Sequence, residues 1–130
     1  MFTSKTKIII VDDDKFLIDM YSIKFSEHDF EVVAMSSGDE TLKKVDSGWV
    51  PDICLVDIIM PGMDGFQLVE ELKKRPSLEK TAIIILSNLG QQEDVNKGLK
   101  LGADGYIVKA SATPTEVVAK VTDIVKNKKK

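Results

Sequence analysis

Leu55-Val56-Asp57-Ile58-Ile59-Met60-Pro61-Gly62-Met63-Asp64-Gly65 is the stretch on which the reading of this chain turns. An apolar run reaching back to Ile53 ends on the carboxylate of Asp57, and a Pro/Gly-rich turn then leads into an amphipathic pattern. A short apolar run bounded by turn residues reads as a strand buried on both faces. An acid at the mouth of such a strand is held rigid from behind and open in front, so it is placed to react.

Four further runs share that character. Ile8-Ile9-Ile10-Val11 has no polar alternation and stops at Asp12-Asp13-Asp14. A helix pattern over 15–27 carries Leu17, Met20, Tyr21 and Phe25, with Asp14 as its expected N-cap. His28-Asp29 breaks it, and the single histidine is expected on the surface. Val32-Val33-Ala34-Met35 is the second strand, followed by the turn Ser36-Ser37-Gly38 and a short helix over 39–45. Trp49 is expected to pack on the domain edge. Beyond the central stretch, Asp64 N-caps a helix with the stripe Phe66, Leu68, Val69 and Leu72, which Arg75-Pro76 ends. Ala82-Ile83-Ile84-Ile85-Leu86 is the fourth strand and runs into Ser87-Asn88. A more polar helix over 91–101 carries Val95, Leu99 and Leu101 and closes at Gly102. Gly105-Tyr106-Ile107-Val108 is the fifth strand, ending at Lys109. Thr113-Pro114-Thr115-Glu116, a capping box with proline at the first helical position, opens the last helix.

Five apolar strands alternating with five helices predict an α/β fold, a single doubly wound parallel sheet with helices on both faces. At 130 residues one domain is expected, with a core over about 7–126 and a basic tail over 127–130. The net charge of −3 becomes −7 once the four cations Lys126, Lys128, Lys129 and Lys130 are set aside. An acidic body argues against nucleic acid as a direct partner. No apolar run reaches the roughly 18–20 residues of a membrane span, and residues 1–7 carry no secretory h-region. The lone Cys54 sits within a strand and reads as a buried, inert thiol. A reducing cytoplasm is the expected setting.

In an open parallel sheet all strand C-termini share one edge, where ligands bind. Here that edge would gather Asp12, Asp13 and Asp14 from the first strand, Asp57 from the third, Ser87 from the fourth and Lys109 from the fifth. Any one of these has an ordinary structural role; their coincidence on four strands does not. Clustered carboxylates repel and one tends to keep a proton, unless a hard divalent cation such as Mg²⁺ neutralises them. A cation, an ammonium and a hydroxyl around one carboxylate would make a receptor for a phosphoryl group, with Asp57 as nucleophile.

The residues Ile10-Val11-Asp12-Asp13-Asp14, the central stretch from Val56 to Gly65, Ile85-Leu86-Ser87 and Gly102-Ala103-Asp104-Gly105-Tyr106-Ile107-Val108-Lys109 resemble a response regulator receiver domain of the CheY-like family. The resemblance covers essentially the whole chain. It implies the flavodoxin-like strand order 2-1-3-4-5. It also implies two-component signal transduction, in which a histidine kinase or histidine phosphotransfer protein gives its phosphoryl group to Asp57. Asp12, Asp13, Asp57 and the carbonyl of Ile59 would form the Mg²⁺ site, with Asp12 holding metal-bound water. Lys109 would pair with phosphoryl oxygens. Ser87 and Tyr106 would act as switch residues that remodel the face of the fourth helix, fifth strand and fifth helix for a downstream protein. Such a domain catalyses only its own phosphorylation and dephosphorylation, and is expected as a monomer or weak dimer.

Two positions depart from the family pattern. Ala110 stands where proline usually follows the lysine in a cis peptide; a cis non-proline bond costs roughly 3 kcal/mol, so a trans bond is expected. Asn88 replaces a very small residue, and with Leu89 and Ile59 it is expected to shield an aspartyl phosphate from water. The competing reading is a pseudo-receiver that binds a partner without phosphorylation. A flavin-binding or phosphatase reading fits less well. The three acids after the first strand oppose a flavin phosphate loop, and Ile59 stands where such a phosphatase needs a second acid.

Overall fold

The computed structural model of the chain describes residues 5–128. Five strands pair in parallel in the order β2-β1-β3-β4-β5: β1 (Thr6–Val11), β2 (Phe30–Met35), β3 (Ile53–Val56), β4 (Ala82–Ser87) and β5 (Gly105–Val108). Between them lie α1 (Lys15–Glu27), α2 (Gly38–Asp46), α3 (Gly65–Lys73) and α4 (Gln92–Lys100), and α5 (Pro114–Lys128) closes the chain. This is the doubly wound sheet and the order expected above. Short 3-10 turns at Pro76–Leu78 and Lys109–Ser111 were not foreseen.

The unbroken apolar strands are explained by two cores. Ile9, Val11, Cys54, Val56, Ile83 and Ile85 face Val45 of α2 and Leu68, Val69 and Leu72 of α3. Their neighbours Ile8, Ile10, Ile53, Leu55, Ile84 and Leu86 face Tyr21 and Phe25 of α1 and Val117, Val118 and Val121 of α5. Successive strand side chains point to opposite faces, so a strand covered on both sides is apolar at every position.

The helix signals hold at most ends. The Asp14 side chain accepts from the Leu17 N–H at 3.2 Å, and Asp64 and Gln67 form a capping box at α3. Gly102 has φ +110° immediately after the α4 C-cap. His28 is exposed at the end of α1, and Trp49 packs on the first core with the Lys44 ammonium 5.2 Å from its ring. Three expectations need extension or correction. In α1 the stripe also includes Ile18, which is buried beside Tyr21 and Phe25, while Leu17 and Met20 are half-buried and pack against the same core. In α4, Leu99 is 46% exposed and the buried residue is Gly98. The end of the chain is not simply a solvated tail, because α5 continues through Lys128, whose ammonium lies 3.0 Å from Asp104 Oδ1. Lys129 and Lys130 lie outside the described residues, as do residues 1–4, on which part of the signal-segment expectation fell. No described helix is long and apolar enough to cross a membrane.

Candidate phosphoryl-acceptor site

Parallel register brings the strand C-termini to one edge, and Asp57 follows the last residue of β3 there. Its N–H donates to the Val11 carbonyl at 2.9 Å, extending the β1–β3 ladder by one residue. Its Oδ1 accepts the N–H of the following residue, Ile58, at 2.8 Å, which fixes the side chain against the start of the loop. Asp12, one residue past β1, donates its N–H to the Met35 carbonyl and accepts the Asp14 N–H on Oδ1 at 2.9 Å. Both carboxylates are buried; Asp13 between them and solvent is exposed.

Lys109 reaches the site from the end of β5. Its Nζ lies 2.7 Å from Asp12 Oδ2 and 3.3 Å from Asp57 Oδ2. No described peptide bond is cis, so the bond to Ala110 is trans as expected, and the 3-10 turn at Lys109–Ser111 still delivers the ammonium to the acids. Ser87 is fully buried and its hydroxyl accepts the Leu89 N–H at 3.3 Å. The Tyr106 hydroxyl donates to the Leu89 carbonyl. Ile59 lies on the rim with its side chain 62% exposed, and Leu89 is half-buried.

The electrostatics follow from burial. Asp57 is pushed above the usual carboxylate range, first by desolvation and further by Asp12, against opposing effects from Lys109, the Ile58 N–H and Ser87. Burial alone would lower the Lys109 ammonium, but its contacts with Asp12 and Asp57 reverse that and leave it raised. The Tyr106 phenol is pushed up to about 12, chiefly by burial, with Asp94 and Asp57 adding to it. The Cys54 thiol is likewise pushed up to about 12 by complete burial, which agrees with an inert role.

One carboxylate oxygen from each of Asp12, Asp13 and Asp57 lies within 4.8 Å of the others. All-oxygen donors at this spacing, one side open to solvent, suit a hard divalent cation that keeps several waters. The donor set therefore fits Mg²⁺.

Two contributors to this geometry carry no reactive side chain and were not singled out from sequence. Gly65 abuts the Asp57–Ile58 peptide: a Cβ added there would stand 2.6 Å from Ile58 Cα and closer still to the Asp57 carbonyl oxygen. Its N–H also donates to the Ile58 carbonyl at 2.9 Å. A glycine at the first position of the helix that follows the strand-end acid was the available signal. The second is the Leu89 backbone, which binds both Ser87 and Tyr106, and no pattern of side chains announces it.

The family model described as response regulator receiver domain matches residues 8–122. Phosphate regulon transcriptional regulatory protein PhoB of Rhizobium meliloti is 32% identical over 123 residues, covering 95% of this chain and 53% of that protein. Probable transcriptional regulator ycf27 of Guillardia theta is 33% identical, covering 98% of this chain and 48% of that one. The chain thus spans about half the length of the curated relatives it matches. Among solved structures, chemotaxis response regulator CheY4 of Vibrio cholerae aligns with TM-score 0.86 at 26% identity, covering 92% of this chain and 98% of that one. The BeF3-activated receiver domain of Klebsiella pneumoniae RstA aligns with TM-score 0.83 at 28% identity, with the same coverage.

Proposed function

This chain belongs to the response regulator receiver domain family, and from that premise we propose that it is a phosphorylation switch whose acceptor is Asp57. The donor is the phosphohistidine of a histidine kinase or histidine phosphotransfer protein. An Asp57 carboxylate oxygen attacks phosphorus, the P–N bond breaks, and its electron pair returns to the imidazole. What supports this reading most is the convergence on Asp57 of a buried ammonium 3.3 Å away and two further carboxylates. Asp12, Asp13 and Asp57, with the Ile59 carbonyl, would hold Mg²⁺, which supplies charge neutralisation for the incoming phosphoryl oxygens. Lys109 is close enough to transfer one contact from the carboxylate to a phosphoryl oxygen. The Ser87 hydroxyl, which accepts from Leu89 and favours the charged form of Asp57, can donate its proton to a phosphoryl oxygen.

The output is a change in the face formed by α4, β5 and α5, read by a downstream protein; Ser87 and Tyr106 bias the equilibrium between its two packings. The relatives named as transcriptional regulators are about twice as long as this chain, and direct nucleic-acid contact is not assigned to the acidic segment described here. A pseudo-receiver would not need Asp12, Asp13, Asp57 and Lys109 in one pocket. The exposed Ile59 and the Leu89 side chain at the rim further suggest slow hydrolysis of the aspartyl phosphate.

Incubation with a small acyl phosphate and Mg²⁺, followed by mass spectrometry, tests the reading. An adduct of about 80 Da is expected on the wild type and not on Asp57→Asn. An adduct on both, or on neither, overturns the assignment. A time course of the same adduct checks the lifetime, which is expected to exceed that of a free acyl phosphate.

A further inference from the structure

Helix α4 meets the sheet at a glycine. Gly98 is its buried residue, although helix propensity alone would favour alanine at that position. A Cβ added at Gly98 would stand 2.6 Å from Ile85 Cδ1 on β4, and 3.1 Å and 3.4 Å from Cδ2 and Cε2 of Tyr106 on β5. The flexible end of Ile85 can turn away from a methyl group, whereas the 3.1 Å contact requires the ring itself to give by a few tenths of an ångström. The helix itself is held close. The Lys97 ammonium lies 4.5 Å from the Phe66 ring centroid, tying α4 to α3, and the Ala103 N–H donates to the Gly98 carbonyl at 3.1 Å. With the ring lodged against Gly98, the Tyr106 hydroxyl meets the Leu89 carbonyl, while the Leu89 N–H meets Ser87. The peptide groups of one residue therefore connect the tyrosine to the serine beside Asp57.

We propose that Gly98 is a positioning residue of the switch: the missing side chain is what lets the Tyr106 ring seat under α4 and bond to Leu89. A side chain at position 98 presses on Cδ2 of the ring and shifts the Tyr106 hydroxyl off the Leu89 carbonyl, without touching the acceptor chemistry at Asp57. This rests on the preceding section for the role of Tyr106 in output, whereas the seat itself stands on geometry alone.

The chain has two tyrosines, so in a Tyr21→Phe background Tyr106 gives the single ¹⁹F signal of protein labelled with 3-fluorotyrosine. At neutral pH that signal is expected well away from its position in denatured protein. Adding Gly98→Ala is expected to move it toward its position in denatured protein, with the adduct on Asp57 formed to the same extent. An unmoved signal overturns the proposal. So does a displaced ring accompanied by loss of the adduct, since Gly98 would then act on the acceptor. Should Gly98→Ala alone fail to fold, Ile85→Val with Gly98→Ala removes the Cδ1 contact and decides the matter. The signal is still expected to shift, because the 3.1 Å contact with the ring remains, and an unmoved signal in that variant overturns the proposal. An absent adduct on the wild type would instead mark failure of the phosphorylation reading, whatever the ¹⁹F signal does.

Discussion

Asp57 is held in a state that works against the stability of the fold. Its pKa is raised chiefly because burial penalises the charged form. The sign follows from linkage. A carboxyl that binds its proton more tightly folded than unfolded favours folding when protonated, and stability falls as pH rises from the ordinary carboxylate range through the folded pKa. In the absence of divalent cations, Asp57→Asn is therefore expected to have a higher urea midpoint than the wild type at pH 7. The gap should shrink on acidification below the ordinary carboxylate range, and also when Mg²⁺ stabilises the wild type. A lower midpoint for Asp57→Asn at pH 7 would mean that the contact with Lys109 outweighs the cost of burial. The sequence anticipated a retained proton from repulsion among the acids, but it gave neither the extent of burial, which is the larger cause, nor the distance from an ammonium 52 positions away.

The junction of β3 and α3 converts an ordinary strand into a presented carboxylate. Its signals were legible: an apolar run, a Pro-Gly turn, and Asp64 as the cap, to which the structure adds Gln67 as the other half of a capping box. The part played by Gly65 was not, because it depends on how closely the first turn of α3 returns over the Asp57–Ile58 peptide. Backbone cannot give way as a flexible side chain does. Gly65→Ala is expected to cost about 3 kcal/mol, the upper end for overpacking. Urea denaturation would show it as a lowered midpoint, together with weaker Mg²⁺ binding by calorimetry. The α4 stripe held at Leu101, which packs against the first core, but was wrong at Leu99 for a related reason. The 3.6-residue period marks which face of a helix is apolar, but Leu99 points outward because the closest approach to the sheet is made by Gly98.

Across the domain, the sheet separates two cores, and the site stands at its edge. The α1–α5 core can therefore be weakened without disturbing the acids directly. Phe25, edge-on to Phe30 at 5.1 Å, is the largest fully buried side chain there. Phe25→Ala is expected to cost about 4 kcal/mol with an unchanged denaturant slope, while the adduct still forms on folded protein. Loss of the adduct at temperatures where the variant is folded would show that the cores are coupled to the site. The sequence by itself determined the alternation of elements, their caps and the chemical inventory of the strand ends. These are local properties, written in periodicity, turn residues and the point where each apolar run stops. Only the tertiary structure decided that Lys109 lies between Asp12 and Asp57, that Gly65 lies on the acceptor peptide, and that the Tyr106 ring rests on Gly98. Such contacts join residues far apart in the chain, and their distances are set by how two cores pack a shared sheet.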